Sequence, residues 1–311
     1  MNSSRTPLPR PPLLEAPTRR RACTALAGLA LGAALPACAQ PGRLARALER
    51  APQLGGVRSL PDLPYGPDAR QRMDVYLPAD AAPRLRPMIV FVHGGTWMRG
   101  DRRTALRGQA KLSHWVAERG WVFVSLDYRM VPQVSVADQL ADVAKGFATA
   151  QASARDWGVD PARVVLMGHS AGAHLVALLA ANPQQAGGPG VAPWRATVVL
   201  DSAALNVPAV MRRRHARFYD QVFGSDPAFW RRMSPEQVLR PGAAPLLLVC
   251  STQRRDDPCA QARGFAGAAA RLGVRTELLP QDLSHAEINQ SLGQSGAYTD
   301  AVDRFLATAG V

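Results

Sequence analysis

The chain has 311 residues, 47% of them hydrophobic and 20% charged, enough for one large core or two small ones. Lysine and arginine exceed aspartate and glutamate by 13. Only Lys111 and Lys145 are lysines; the arginines are scattered over Ala-, Gly- and Pro-rich stretches, so the charge reads as compositional bias and argues against nucleic-acid binding.

Residues 1–37 read as a leader for export. Arg19-Arg20-Arg21 precedes a mildly apolar stretch, Ala22 to Leu35, too short to span a bilayer as a mature helix. Leu35-Pro36-Ala37-Cys38 resembles a lipobox, which implies cleavage before Cys38 and lipid on its thiol; cleavage after Ala39 is the competing expectation. The expected location is therefore periplasmic, or membrane-anchored through Cys38. Residues 38–66 read as a tether, with a short helix over Leu44 to Ala51 and irregular chain from Pro52 to Pro67.

From residue 67 to 311 the pattern is one α/β domain. Arg72 to Leu77 alternates as a strand, and Pro87 to Val92 is a continuous apolar run suited to a strand buried on both faces. That run ends in His93-Gly94-Gly95-Thr96-Trp97. A helix over Leu106 to Arg119 and a buried strand over Trp121 to Leu126 follow. Val136 to Trp157 spaces its apolar residues as an amphipathic helix. Val164 to Met167 then runs into Gly168-His169-Ser170-Ala171-Gly172 and an apolar, Ala-rich helix. A serine hydroxyl must stand clear of the backbone to act as a nucleophile. A sharp strand-to-helix turn flanked by small residues achieves this, and the Ala171 amide at the helix start faces a developing oxyanion. Further strands are expected over Ala196 to Leu200, Pro245 to Cys250 and Arg275 to Leu279, with helices over Cys259 to Leu272 and Ala297 to Ala307. Strand and helix in alternation predict a mostly parallel sheet covered on both faces. Residues 203–244 break the rhythm with aromatics set among arginines, and read as a small lid or substrate wall.

Three stretches carry a family resemblance over about residues 60 to 311: the Gly168–Gly172 turn, His93-Gly94-Gly95-Thr96-Trp97 and Asp127-Tyr128-Arg129. They resemble the His-Gly-Gly branch of the α/β-hydrolases, which includes hormone-sensitive-lipase-like and kynurenine-formamidase-like esterases. The resemblance implies a serine nucleophile, Ser170, and an oxyanion hole from the amides of Gly94, Gly95 and Ala171. It also implies that His93 shapes the loop instead of acting as the base. Trp97 and His169 are the weaker candidates for a substrate pocket. In this fold an acid and then a histidine follow the nucleophile in the chain. His285, in the segment after the last strand, is the expected base; His174 lies too close to Ser170 and His215 precedes the expected acid loop. Asp256 and Asp257 are the candidate acids, and the resemblance favours Asp257, which stands before Pro258 and Cys259; Asp282 reads as a turn cap. Cys250 and Cys259 flank that loop and in an oxidising compartment are positioned in sequence to clamp it. The implied activity is hydrolysis of small or medium carboxylic esters through an acyl-enzyme, with arylformamidase-like amide hydrolysis as the alternative. The implied partner is a small-molecule ester; no cofactor or metal is called for, and the sequence is silent on oligomeric state.

Overall fold

The structure is a computed structural model that describes residues 53–80, 85–103, 109–186 and 191–311. The expected leader, Cys38, the Leu44 to Ala51 helix and the first part of the expected Leu106 to Arg119 helix lie outside the described residues.

The described strands form one sheet: β1 (Gln53–Leu54), β2 (Val57–Pro64), β3 (Arg72–Pro78), β4 (Arg86–Val92), β5 (Val122–Leu126), β6 (Val159–His169), β7 (Ala196–Leu200), β8 (Leu246–Ser251) and β9 (Thr276–Gln281). Their order is β1-β2-β3-β5-β4-β6-β7-β8-β9, antiparallel from β1 to β5 and parallel from β5 onward. β4, β5 and β7 are buried along their whole length. Side chains alternate between two cores. Met88, Val90 and Val92 of β4 join the core under one helical layer, while Ile89 and Phe91 join the other with Trp115, Val302 and Phe305. The helices are α1 (Val136–Ala152), α2 (Ala171–Ala181), α3 (Val207–Met211), α4 (Phe218–Phe223), α5 (Pro227–Arg232), α6 (Pro235–Val238), α7 (Pro258–Arg271), α8 (His285–Gln290) and α9 (Ala297–Thr308), with a π-helical segment over Leu112–Glu118.

The expectation of irregular chain from Pro52 to Pro67 does not hold over β2. Pro61 lies at a bulge, where the register against β3 shifts between Leu60 and Leu63, and Pro64 closes the strand. A proline at a bulge or a strand end removes little from the ladder, so the two prolines mask a strand that is present. The stretch expected as a lid or wall forms α3 to α6, whose Tyr219, Phe223 and Met233 are buried in the core on that side. Cys250, at the end of β8, is disulfide-bonded to Cys259 in the first turn of α7.

Candidate active site

The residues expected to carry the chemistry meet at the C-terminal ends of the parallel strands, where the crossing connections leave a crevice. β6 ends at His169, and Ser170 turns the chain into α2 with φ 58°. A left-handed φ is costly for a residue with a side chain and persists only when the surroundings impose it. Here the Ser170 amide donates to Leu200 O at 2.9 Å, and the His174 amide donates to Ser170 O at 3.1 Å. Gly172 is required because a Cβ there would stand 2.1 Å from Val92 O. The turn is thus pressed against the end of β4, and the Ser170 hydroxyl projects into the cavity.

His285 is the first residue of α8, whose start is fixed by a capping box between Ser284 and Glu287. Its Nε2 lies 2.9 Å from Ser170 Oγ, and its Nδ1 lies 2.6 Å from Asp201 Oδ2. A carboxylate only accepts, so Nδ1 carries the proton and Nε2 is left to accept from the serine hydroxyl. Asp201 follows β7 directly, again with positive φ (58°), and is fully buried. Burial works against its charge. The hydrogen bond from His285, the Arg254 guanidinium (Nη1 to Oδ2, 2.8 Å) and the Ser251 amide (2.8 Å to Oδ1) more than offset this, and hold its carboxyl below the usual range.

The carboxylate against His285 is therefore not one of those expected. Asp257 caps α7: its Oδ1 accepts from the Ala260 amide at 2.9 Å and lies 3.7 Å from Arg263. Asp256 is gripped by Arg254 through Nε (2.9 Å) and Nη2 (2.5 Å). Asp282 accepts from Gln253 at 3.2 Å. The physical reason is reach. The loop after β8 is drawn into the cap of α7 and the disulfide, while Asp201 emerges from the adjacent strand and faces the imidazole. Arg254 lies 3.0 Å from His285 Nδ1 as well, and the two donors share Asp201 Oδ2.

The His93–Trp97 loop closes the other side of Ser170. A Cβ on Gly94 would lie 2.8 Å from Ser170 Cβ and 2.9 Å from His169 O, so only glycine lets this backbone lie against the serine. The N–H groups of Gly94 and Gly95 have no partner among the described residues. Ala171, at the first position of α2, has no intrahelical acceptor. Three backbone N–H groups, two in the loop that packs on Ser170 and one at the start of α2, are thus unspent. Behind them, His93 Nδ1 donates to Gly94 O at 2.7 Å and the ring stacks on Tyr128. Tyr128 donates to His93 O at 3.0 Å, and Asp127 takes Arg102 through its amide and side chain. We expect Gly94→Ala to lower kcat by roughly 10²-fold, the scale of one misplaced oxyanion donor, and to lower the melting temperature as well, because the added Cβ pushes the loop off Ser170 and His169 O; steady-state kinetics beside a thermal melt checks this.

His169 does not line the cavity. Its Nε2 donates to His285 O at 2.9 Å, so it steadies the segment that carries the imidazole. His174, one turn along α2, accepts from Trp97 Nε1 at 3.2 Å and donates to Met233 O at 2.8 Å. It ties the glycine loop and the 203–244 stretch to α2. Burial lowers the pKa of His174 to about 4 and, with His285 nearby, that of His169 to about 3. An unfolded histidine titrates near 6.5, at roughly the ordinary value. Between that value and the folded ones the unfolded chain binds more protons, so stability is full above about pH 6.5 and falls as the pH drops below it. The urea midpoint is expected to be lower at pH 5 than at pH 7.5, with a smaller difference in His174→Gln.

The cavity over Ser170 and His285 holds about 430 Å³. Trp97, Phe218 and Tyr219 supply its apolar lining, and Arg213, Arg214, His215, Arg254 and Arg255 line it as well. Trp97 is nearly fully buried and packs edge-on to Phe223.

Comparison with known proteins agrees with this architecture. The chain is 30% identical over 233 residues to the isoprenylcysteine alpha-carbonyl methylesterase ICME of Arabidopsis thaliana, covering 69% of this chain and 53% of that protein. It is 32% identical over 223 residues to the esterase LipC of Mycobacterium tuberculosis, covering 65% and 52%. The chain thus spans about half the length of the curated relatives it matches. Among solved structures, the propionate-bound thermophilic esterase Est2 of Thermogutta terrifontis superposes with a TM-score of 0.65 at 28% identity, over 83% of this chain and 96% of that one. The BD-FAE family model matches residues 73–266, which span β4 to β8, the Ser170 turn and Asp201, and the chain belongs to this family of α/β-hydrolases.

Proposed function

We propose that this protein hydrolyses carboxylic esters of small or medium acyl groups through an acyl-enzyme on Ser170. The observation that carries the reading is the continuous relay from Asp201 through His285 to Ser170, next to a glycine loop packed on the serine whose N–H groups are unspent. His285 Nε2 removes the proton from Ser170 Oγ as the oxygen attacks the ester carbonyl. Asp201 holds the imidazole in the required tautomer and stabilises the imidazolium. The amides of Gly94, Gly95 and Ala171 receive the oxyanion, commonly the largest single contribution. The imidazolium then protonates the departing alcohol. A water deprotonated by the same nitrogen releases the acid. The names of the relatives support an ester in preference to an amide substrate, and the apolar wall of Trp97, Phe218 and Tyr219 suits a short acyl chain. The N-terminal pattern supports export, with attachment to a membrane through lipidated Cys38.

The test uses a p-nitrophenyl ester series on the leaderless protein, followed by an alkyl fluorophosphonate. Turnover with one phosphonyl adduct on the Ser170 peptide is the expected result. Turnover without an adduct there would displace Ser170 as the nucleophile, and hydrolysis of N-formyl anilides alone would favour the amide reading.

A further inference from the structure

The cavity has a charge pattern that the relay does not use. Among its arginines, Arg254 is consumed by Asp201 and Asp256, and Arg213 spends its Nε on Ala209 O at 2.9 Å. His215 pairs with Asp220 at 2.9 Å, which raises its pKa. Asp257, also at the cavity, is taken up by the Ala260 amide and lies 3.7 Å from Arg263. The guanidiniums of Arg214 and Arg255 have no hydrogen bond or ion pair among the described residues.

The chain is rich in arginine throughout, so exposure alone singles out neither residue. Their convergence does. Arg214 comes from the stretch between α3 and α4, Arg255 from the loop after β8, and both line the cavity that holds Ser170 and His285. The second loop is held at both ends, by the Cys250–Cys259 bond and by Arg254 on Asp201. Unpaired guanidiniums lining a cleft with a low-dielectric wall concentrate anions there, and each presents paired N–H donors matched to a carboxylate.

Resting on the ester-hydrolase reading, we propose that the substrate is an ester bearing a carboxylate, which Arg214 and Arg255 bind while its carbonyl lies at Ser170. These two are specificity residues; they take no part in the proton transfers. The carboxylate remains ionised throughout, and the ester bond alone is broken.

The experiment uses two matched pairs, so that the charge sits on either side of the ester: 4-acetoxybenzoate against 4-acetoxybenzamide, and p-nitrophenyl hemiglutarate against p-nitrophenyl butyrate. The quantity read is the ratio of kcat/KM for the anionic and neutral member, compared between wild type and Arg214→Ala/Arg255→Ala, so that intrinsic reactivity cancels. The ratio is expected to fall about tenfold or more in at least one pair. Arg214→Lys/Arg255→Lys is expected to recover part of it, and raising NaCl from about 0.05 to 0.5 M to lower it in wild type. Arg212→Ala/Arg217→Ala, which removes the same charge from exposed arginines outside the cavity, is expected to leave the ratio unchanged. Turnover of the neutral esters with an unchanged ratio in both pairs would overturn the proposal and leave the esterase reading standing. Failure of wild type to cleave any of the four would overturn the esterase reading, and the proposal with it.

Discussion

Asp201→Asn is expected to lower kcat by roughly 10³–10⁴-fold with little change in KM, while Asp257→Asn and Asp256→Asn stay within a few-fold of wild type. The argument is one of donors and acceptors. Asp201 is fully buried and accepts from His285 Nδ1, Arg254 Nη1 and the Ser251 amide. An amide can still accept from Ser251, but its NH₂ then faces two groups that are themselves donors. The imidazole relieves the clash by moving its proton to Nε2, and a protonated Nε2 cannot accept from Ser170. Asp257 stands outside this relay, exposed at the start of α7, and asparagine there keeps an oxygen that accepts from the Ala260 amide, so the helix cap survives the replacement. Asp201→Asn also leaves Arg254 short of a carboxylate, so a lower melting temperature is expected too. The comparison stays decisive if that variant folds poorly: a 10³-fold loss in Asp257→Asn with normal folding would place the acid there instead.

The acid shows where the sequence was legible and where it was not. The serine turn could be read because its requirements are local: small residues on either side, an apolar strand before and a helix after. β4, β5 and β7 were readable for the same reason, since a strand buried on both faces is mostly apolar, here with Arg86, Ser125 and Thr197 as the exceptions. His285 followed from its place after the last strand. The acid has no local signature. Chain order requires only that it lie beyond the serine, and the ends of β7 and β8 both satisfy that. Resemblance pointed to Asp257, next to Pro258 and Cys259. That pattern instead builds a helix cap beside a disulfide. The available signal for Asp201 was an aspartate directly after Val198-Val199-Leu200, at a strand end bordering the strand that leads into Ser170. His174 was equally hidden. Its partners, Trp97 and Met233, lie far along the chain in both directions, and only the fold brings them to one imidazole.

Ser170→Ala is expected to cost on the order of 10⁵–10⁶-fold in kcat, the scale for losing a nucleophile from such a relay. The fold should not notice. Among the described residues the Ser170 side chain has one hydrogen-bond partner, His285, and the amide that anchors the turn to Leu200 O is retained. Alanine meets the positive φ at much the same cost as serine. A melting temperature within a degree or two of wild type is therefore expected beside the lost turnover. The stronger test is the cycle with Asp201→Asn. If Asp201 acts only by setting the tautomer of the base that deprotonates Ser170, its contribution vanishes once the hydroxyl is gone. The double variant then retains the same residual rate as Ser170→Ala, which comes from binding and the oxyanion donors. A double variant slower than Ser170→Ala by the full Asp201 factor would mean that Asp201 supports hydrolysis by another route. The natural alternative would be its hold on Arg254, and through Arg254 on the loop that carries Arg255 to the cavity.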